Sequence, residues 1–177
     1  MSKVLAIDTS TSRSCVAIIE GANVLYSGFR DGATAHGPSL PALVQEALAV
    51  SDVDEVVVGM GPGPFTGLRV GIAFAHSFAL AREIPVRGVC SLDAIAAQVT
   101  DKDFIITVDA RRKEVYWARY KDGARVGDPA VNFPAHVSGA TIHADLFPDM
   151  VALVNLLGNV IEPIYLRRPD AVATADR

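Results

Sequence analysis

The feature that most constrains the fold is an apolar run ending in aspartate, which occurs twice, 101 residues apart. Residues 4–7 (VLAI) precede Asp8, and residues 105–108 (IITV) precede Asp109. Each run is followed by a second strand-like segment and then by a turn containing glycine, at a similar distance, which is typical of a repeated supersecondary unit. We therefore expect a duplicated fold with one copy in each half of the chain.

The order of the predicted elements indicates an α/β fold, because strands that alternate with helices form a mixed sheet with helices on its faces. The pattern predicts that Ser91 caps the third helix. Strands are expected at residues 4–7, 15–20, 23–28, 55–59 and 86–89, and helices at about residues 39–48, 66–82 and 92–99.

The second half repeats the opening strands and then loses the pattern. Residues 132–149 show no clear period, residues 150–157 are compatible with a short helix, and residues 164–166 with a last strand or an extended tail. We therefore expect an N-terminal lobe at residues 1–100 and a smaller C-terminal lobe, a shortened repeat, at residues 101–177.

Composition and charge restrict the classes of partner. The 177 residues are half hydrophobic and carry a net charge of -4, which gives no general attraction for polyphosphate, so strong nucleic-acid binding by the chain alone is not expected. Cys15 and Cys90 lie apart inside apolar segments, without metal-ligand spacing. No export signal or uninterrupted bilayer-length apolar run is visible. These features predict a cytoplasmic protein with reduced core thiols and no membrane contact.

Residues 59–71 (GMGPGPFTGLRVG) form the most unusual segment. They do not form a Walker phosphate loop, because no lysine followed by serine or threonine comes after Gly67. The simplest interpretation is a strand-to-helix turn in which glycine and proline fix the bend. In the helix that follows, small residues at every fourth position allow another backbone to approach closely. That backbone can belong to the chain's own core or to a second chain; the small residues are Gly67, Gly71, Ala75 and Ala79.

Asp8 and Asp109 occupy matching positions after the first strand of each half. Duplicated ATPases and kinases place acidic residues there, near a metal-bound nucleotide, but their phosphate loops require glycine beside the acid. Here Asp8 is followed by Thr-Ser-Thr and Asp109 by Ala-Arg-Arg-Lys. We therefore interpret both aspartates as positions of a degenerate nucleotide site and expect no cofactor. The three basic residues, Arg111, Arg112 and Lys113, remain able to contact phosphate of another origin.

The sequence predicts neither a catalytic residue nor a metal site. No G-x-S-x-G nucleophile motif is present. The histidines lack the i, i+4 helical spacing of a metal site and are expected to be surface or cap residues; they are His36, His76, His136 and His143.

Four segments resemble the TsaB family, also called YeaZ. They are residues 5–11 (LAIDTST), 61–71 (GPGPFTGLRVG), 109–116 (DARRKEVY) and 165–169 (YLRRP). The first two-thirds of the chain matches well, and the G-P-G-x-F-T-G-L-R pattern is highly specific. The family usually has serine where this chain has Pro64, and the segment between residues 133 and 151 is shorter than the resemblance leads us to expect.

The resemblance implies the duplicated ribonuclease H-like fold of actin, Hsp70 and the sugar kinases. It also implies a partner, the paralogue TsaD, which transfers threonylcarbamoyl to adenosine 37 of tRNA (t6A) with metal and nucleotide. An ATPase, TsaE, docks on the pair, and the TsaB subunit is required but non-catalytic. Where TsaD carries two metal-binding histidines, this chain has Ser91 and Ile95, and Ile95 cannot bind a metal.

These points lead to the hypothesis that helices one and two meet the equivalent helices of TsaD in a heterodimer and hold TsaD in its active shape. Family members also form homodimers through this surface, and tRNA would be reached only through the complex. The alternative is an ATP-dependent small-molecule kinase of the same fold, with nucleotide between Asp8 and Asp109. The expected partner-binding residues are Leu40, Leu43, Ala47, Gly67, Gly71, Ala75 and Phe78.

Overall fold

The computed structural model of the chain describes residues 1–167, so Arg168 and Pro169 of the YLRRP segment lie outside the described part. All strands and helices predicted for residues 1–100 are present, with bounds that differ by a few residues. In order they are β1 (Lys3–Asp8), β2 (Arg13–Glu20), β3 (Asn23–Asp31), α1 (His36–Leu48), β4 (Glu55–Gly59), α2 (Phe65–Arg82), β5 (Val86–Val89) and α3 (Ser91–Ala96). The later elements are β6 (Asp103–Asp109), β7 (Val115–Lys121), β8 (Ala124–Asn132), a 3-10 turn (Pro134–His136), β9 (Thr141–His143) and α4 (Met150–Asn155).

The first sheet has the strand order β3-β2-β1-β4-β5. Strand β1 pairs antiparallel with β2 and parallel with β4. Helices α1 and α2 cover one face of this sheet, and α4 packs on the other. Because both faces are covered, β1 and β4 are almost wholly apolar rather than alternating.

The second sheet repeats the first four strands in the order β8-β7-β6-β9. Strand β6 pairs antiparallel with β7 and parallel with β9, as β1 does with β2 and β4. The duplicated, ribonuclease H-like α/β fold is therefore confirmed. In the second copy a 3-10 turn of three residues stands between β8 and β9, where α1 stands in the first. The division into lobes at residue 100 stays a prediction.

Two local predictions were wrong. Ser91 does not cap α3. It is the first residue of the helix, the N-cap is Cys90 without a side-chain cap bond, and the Ser91 hydroxyl donates to Asp8 instead. His36 is neither a surface nor a cap residue, since it begins α1, is only 4% exposed and shares a hydrogen bond of 2.7 Å between its Nδ1 and Ser14 Oγ.

Two further predictions concern the cysteines, expected in the core, and the apolar segments, expected not to span a bilayer. Cys15 and Cys90 are buried free thiols, and burial raises the pKa of each to about 12. Both are thus core thiols outside any disulfide, as predicted. Within residues 1–167, none of the helices combines the length and the hydropathy that a bilayer span requires.

Thr9, at the end of β1, fixes helix α2 to the first sheet. Its hydroxyl donates to the carbonyl oxygen of Gly67 at 2.8 Å and accepts from the N–H of Gly71 at 3.1 Å. A Cβ on Gly71 would overlap the Thr9 Oγ1 atom. Glycine is needed at this position because a side chain of the same protein enters the helix surface there.

We predict that Gly71→Ala lowers the free energy of unfolding by about 1–3 kcal/mol, since the added methyl group overpacks the contact with Thr9. At an exposed helical site the same change would stabilise by about 1 kcal/mol. Gly37→Ala in α1 is the comparison variant, because its added Cβ meets no atom within 4 Å apart from its neighbours in the chain. Urea denaturation followed by circular dichroism measures both, and equal stabilities of the two variants would contradict the inferred contact.

Candidate functional site

Asp8, the first of the two predicted nucleotide-site positions, is completely buried at the carboxyl end of β1. Its Oδ1 accepts hydrogen bonds from the N–H and the hydroxyl of Ser10 at 2.8 and 2.7 Å. Its Oδ2 accepts from the hydroxyl of Ser91 at 2.6 Å. Burial raises the pKa of Asp8, while the hydrogen bonds from Ser91 and Ser10 act in the opposite direction. Both carboxylate oxygens are thus held by groups of the chain itself.

The loop after β4 lies directly against this carboxylate. A Cβ on Gly59 would overlap Asp8 Oδ2, and a Cβ on Gly63 would overlap the backbone of Ser10. Gly61 donates its N–H to Ser91 Oγ at 3.2 Å, and its carbonyl accepts from the N–H of Ser91 at 2.8 Å. The glycine-rich segment therefore packs directly onto the loop after β1.

Asp109 has the same place in the second sheet but a different environment. It is exposed, and its Oδ1 accepts from the N–H of Arg111 at 2.8 Å. It lines a small cavity of about 90 Å³ together with Thr11 and Arg111, and Asp8 does not line that cavity. The structure thus does not bring the two aspartates to one cavity, and their role as a degenerate nucleotide site stays a prediction.

The turn after Asp109 has an uncommon backbone. Arg111, Arg112 and Lys113 have φ values of 63°, 53° and 65°, in the left-handed region that non-glycine residues rarely adopt. The N–H of Glu114 bonds to the carbonyl of Arg111, and the N–H of Ala110 to the carbonyl of Glu114. The turn presents three consecutive basic side chains, all of them exposed.

Ser91 and Ile95, which the resemblance places at the positions of the TsaD histidines, lie in the interior. Ser91 is bound to Asp8, and Ile95 packs with Phe104 and Tyr120 in the core between α3 and the second sheet. Across residues 1–167, no three His, Cys, Asp or Glu side chains are grouped so that they could hold a metal ion.

The predicted partner-binding residues lie mostly inside the chain. Leu40, Leu43, Ala47, Gly67, Gly71 and Ala75 are all buried, and Phe78 is partly buried. A Cβ on Gly67 would lie 2.9 Å from the ring of His36. The ridge of small residues therefore faces α1 and the loop after β1 of the same chain, and a role for these side chains in binding a partner stays a prediction.

The outer face of α2 is the side that elements within residues 1–167 leave uncovered. Leu80 is 81% exposed, Ala73 and Ser77 are exposed, and the partly buried rings of Phe74 and Phe78 stack with centroids 6.1 Å apart. A partner that covered α1 and α2 would contact outward residues rather than those predicted. These are Pro38, Pro41, Ala42 and Gln45 of α1, and Thr66, Arg69, Ala73, His76, Ser77 and Leu80 of α2.

The sequence interpretation missed the polar network that closes the end of the first sheet. His36 was assigned to the surface or a cap and Ser91 to a cap, and no contact was predicted for Thr9 or Ser10. Each of the four makes a buried hydrogen bond. One signal was available: a carboxylate at the end of an apolar strand requires nearby donors, and Thr-Ser-Thr follows it directly.

Comparison with known proteins identifies the family. Residues 31–170 match the model of the family described as "TsaD: tRNA N6-adenosine threonylcarbamoyltransferase". An uncharacterised protein of Mycobacterium tuberculosis is 45% identical over 97% of this chain and 94% of its own length. The tRNA threonylcarbamoyladenosine biosynthesis protein TsaB of Escherichia coli is 35% identical over 67% of this chain.

The structural comparison agrees. YeaZ from Pseudomonas aeruginosa superimposes with a TM-score of 0.74 and 27% identity over 87% of this chain and 89% of its own. The match to the Escherichia coli protein spans about half of that relative, 55% of its length. The chain therefore belongs to the TsaD family and, within it, to the TsaB (YeaZ) proteins.

Proposed function

We propose that this chain is the non-catalytic subunit that pairs with TsaD for the threonylcarbamoylation of tRNA adenosine 37. In this proposal TsaD carries the metal, the nucleotide and the reacting groups. The chain presented here supplies a helical surface, formed by the outer faces of α1 and α2, that holds TsaD in its active conformation.

The observation that carries the proposal is a contrast between two parts of the first half of the chain: the enclosed site around Asp8 and the exposed outer face of α2. Where related folds bind nucleotide, the Asp8 oxygens are occupied by Ser10 and Ser91, and Gly63 lies against Ser10. On α2, by contrast, Leu80 and Ala73 are left exposed. A chain whose Asp8 is enclosed, and whose α2 exposes Leu80 among polar side chains beside the partly buried rings of Phe74 and Phe78, is suited to binding another protein rather than to catalysis.

The named relatives support the pathway. The Escherichia coli relative is named as a tRNA threonylcarbamoyladenosine biosynthesis protein, and the family model is named for the transferase. The partners that we propose are TsaD in a heterodimer, TsaE on the pair, and a second copy of this chain when TsaD is absent. A cytoplasmic location follows from the proposal, because tRNA is modified there.

The direct test is coexpression with TsaD and TsaE, followed by mass measurement of tRNA nucleosides. In cells that lack the endogenous subunit, t6A should be present with this chain and strongly reduced without it. Normal t6A in the absence of this chain would overturn the proposal.

We predict that Ala73→Arg weakens copurification with TsaD at least tenfold, about 1.4 kcal/mol, because a charged side chain would be buried in the interface. Arginine is a good helix former, so the fold should be retained. Ala124→Arg is the matched control: it makes the same change at an exposed position of β8, in the second sheet. Equal copurification of the two variants would show that the outer face of α2 does not bind TsaD.

Calorimetry with ATP and magnesium separates the proposal from the kinase alternative. We predict no saturable binding to the isolated chain, because Asp8 is enclosed and Asp109 lies apart on the surface. Saturable binding that is lost in Asp109→Asn and Asp8→Asn would favour the kinase. Loss of t6A when this chain is left out of the coexpression test, together with no ATP binding to the isolated chain, would favour the non-catalytic subunit.

A further inference from the structure

A second cavity, of about 640 Å³, opens beside the basic turn, and Asp8 does not line it. It lies where the N-terminal ends of α1 and α2 approach the second sheet. We call it the Arg111 cavity; its lining includes Thr34, Phe65, Thr66, Arg111, Arg112, Tyr116, Tyr165 and Arg167.

The charge of the Arg111 cavity is opposite to that of the whole chain. Among the described residues that line it, three are arginines and none is a carboxylate, although the chain has 20 acidic residues and a net charge of -4. Arg111 and Arg112 are exposed, whereas Arg167 is anchored by an ion pair with Glu114 and a hydrogen bond to the carbonyl of Ala110. Because Glu114 offsets the charge of Arg167, the positive charge that the cavity offers to an anion comes above all from the exposed Arg111.

The walls of the cavity add an aromatic platform and donor groups. The rings of Phe65 and Tyr165 have centroids 5.0 Å apart, and Tyr165 is 40% exposed. The first turn of α2 contributes backbone near Thr66 at the positive end of the helix dipole, and its N-cap, Pro64, provides no side-chain cap bond. Guanidinium groups beside an exposed ring are the combination that binds a phosphate and stacks an unpaired base.

We propose that the Arg111 cavity binds a phosphodiester group of single-stranded RNA, with the neighbouring base stacked on Tyr165. A nucleoside triphosphate is less well suited, because it binds as a magnesium complex and such sites usually supply a carboxylate to the metal. A phosphodiester needs only cationic donors, and arginine pairs with it through two parallel N–H groups. The inference rests on the proposed function, in which the RNA is the tRNA substrate.

The position of the cavity connects it with the assembly. Thr34 precedes α1 and Phe65 begins α2, so the cavity lies at one end of the helical surface assigned to TsaD. RNA held there would lie beside the interface. A single such contact is weak in a chain with a net charge of -4, which agrees with RNA binding that becomes appreciable only in the complex.

The test compares Arg111→Asn with Lys113→Asn in the purified complex with TsaD. Both positions have a left-handed backbone, which asparagine tolerates, and both variants remove one positive charge. Only Arg111 lines the cavity. The Kd for an unmodified tRNA transcript is measured between about 50 and 200 mM salt. Tyr165→Leu and Tyr165→Phe test the stacking contact in the same assay.

We expect Arg111→Asn to raise the Kd about fivefold and to reduce the slope of log K against log salt by about 0.7–0.9, the value for one phosphate contact. Lys113→Asn should leave both nearly unchanged. Tyr165→Leu should weaken binding, and Tyr165→Phe should retain it. Equal behaviour of Arg111→Asn and Lys113→Asn would overturn the inference, as would binding of ATP that depends on Arg111 while the Kd for tRNA stays constant.

Failure of the proposed function gives a different result. If no complex with TsaD forms, that proposal fails, and the cavity is then tested on the chain alone with a single-stranded RNA oligonucleotide at about 20 mM salt, where phosphate contacts are strongest. A difference between the two variants there would support the RNA site, and its absence would overturn it. If the complex forms and modifies tRNA with either variant equally, and the Kd values agree, only the RNA site fails.

Discussion

The buried carboxylate of Asp8 is the constraint on which the first half of the structure depends. A carboxylate removed from water must be hydrogen-bonded, or it destabilises the fold. Ser10 satisfies one oxygen from the adjacent loop, and Ser91 satisfies the other from the start of α3. Ser91 also bonds to Gly61 through its N–H and its Oγ. One carboxyl group thereby joins β1, the loop after β4 and α3 at a single point.

The glycine-rich segment follows from this arrangement. Gly59 must lack a side chain because Asp8 is beside it, and Gly63 because the backbone of Ser10 is beside it. Gly71 must lack one because the Thr9 hydroxyl enters the surface of α2. In a phosphate-binding loop, glycine allows a ligand to approach the backbone. Here the same residue type allows the loop after β1 to approach, and protein groups occupy the space beside the glycines.

The limits of sequence-based prediction follow from the same contacts. The strands and helices of the first half were predictable because apolar runs and i, i+4 periodicity are local signals. The direction of the ridge at Gly67 and Gly71 was not, because a helix with apolar residues on most sides does not reveal which side meets its own sheet. The partner of Ser91 was not predictable either, since it lies 83 residues away in the chain. The repeat was predictable, but its exact register was not. Asp8 pairs with Cys15 and Asp109 with Val115, so the connection after Asp109 is one residue shorter than the connection after Asp8.

The two aspartates show why a position in a repeat does not determine a role. Asp8 is enclosed by hydroxyl groups, because α2, α3 and the loop after β4 all converge on the end of β1. Around Asp109 the second copy has only the short β9 and a 3-10 turn in place of α1, so the carboxylate stays exposed and accepts the N–H of Arg111. That bond helps to hold the left-handed turn that presents its basic side chains outward. Reduction of the second copy therefore leaves a basic surface at the position where the first copy has a closed core.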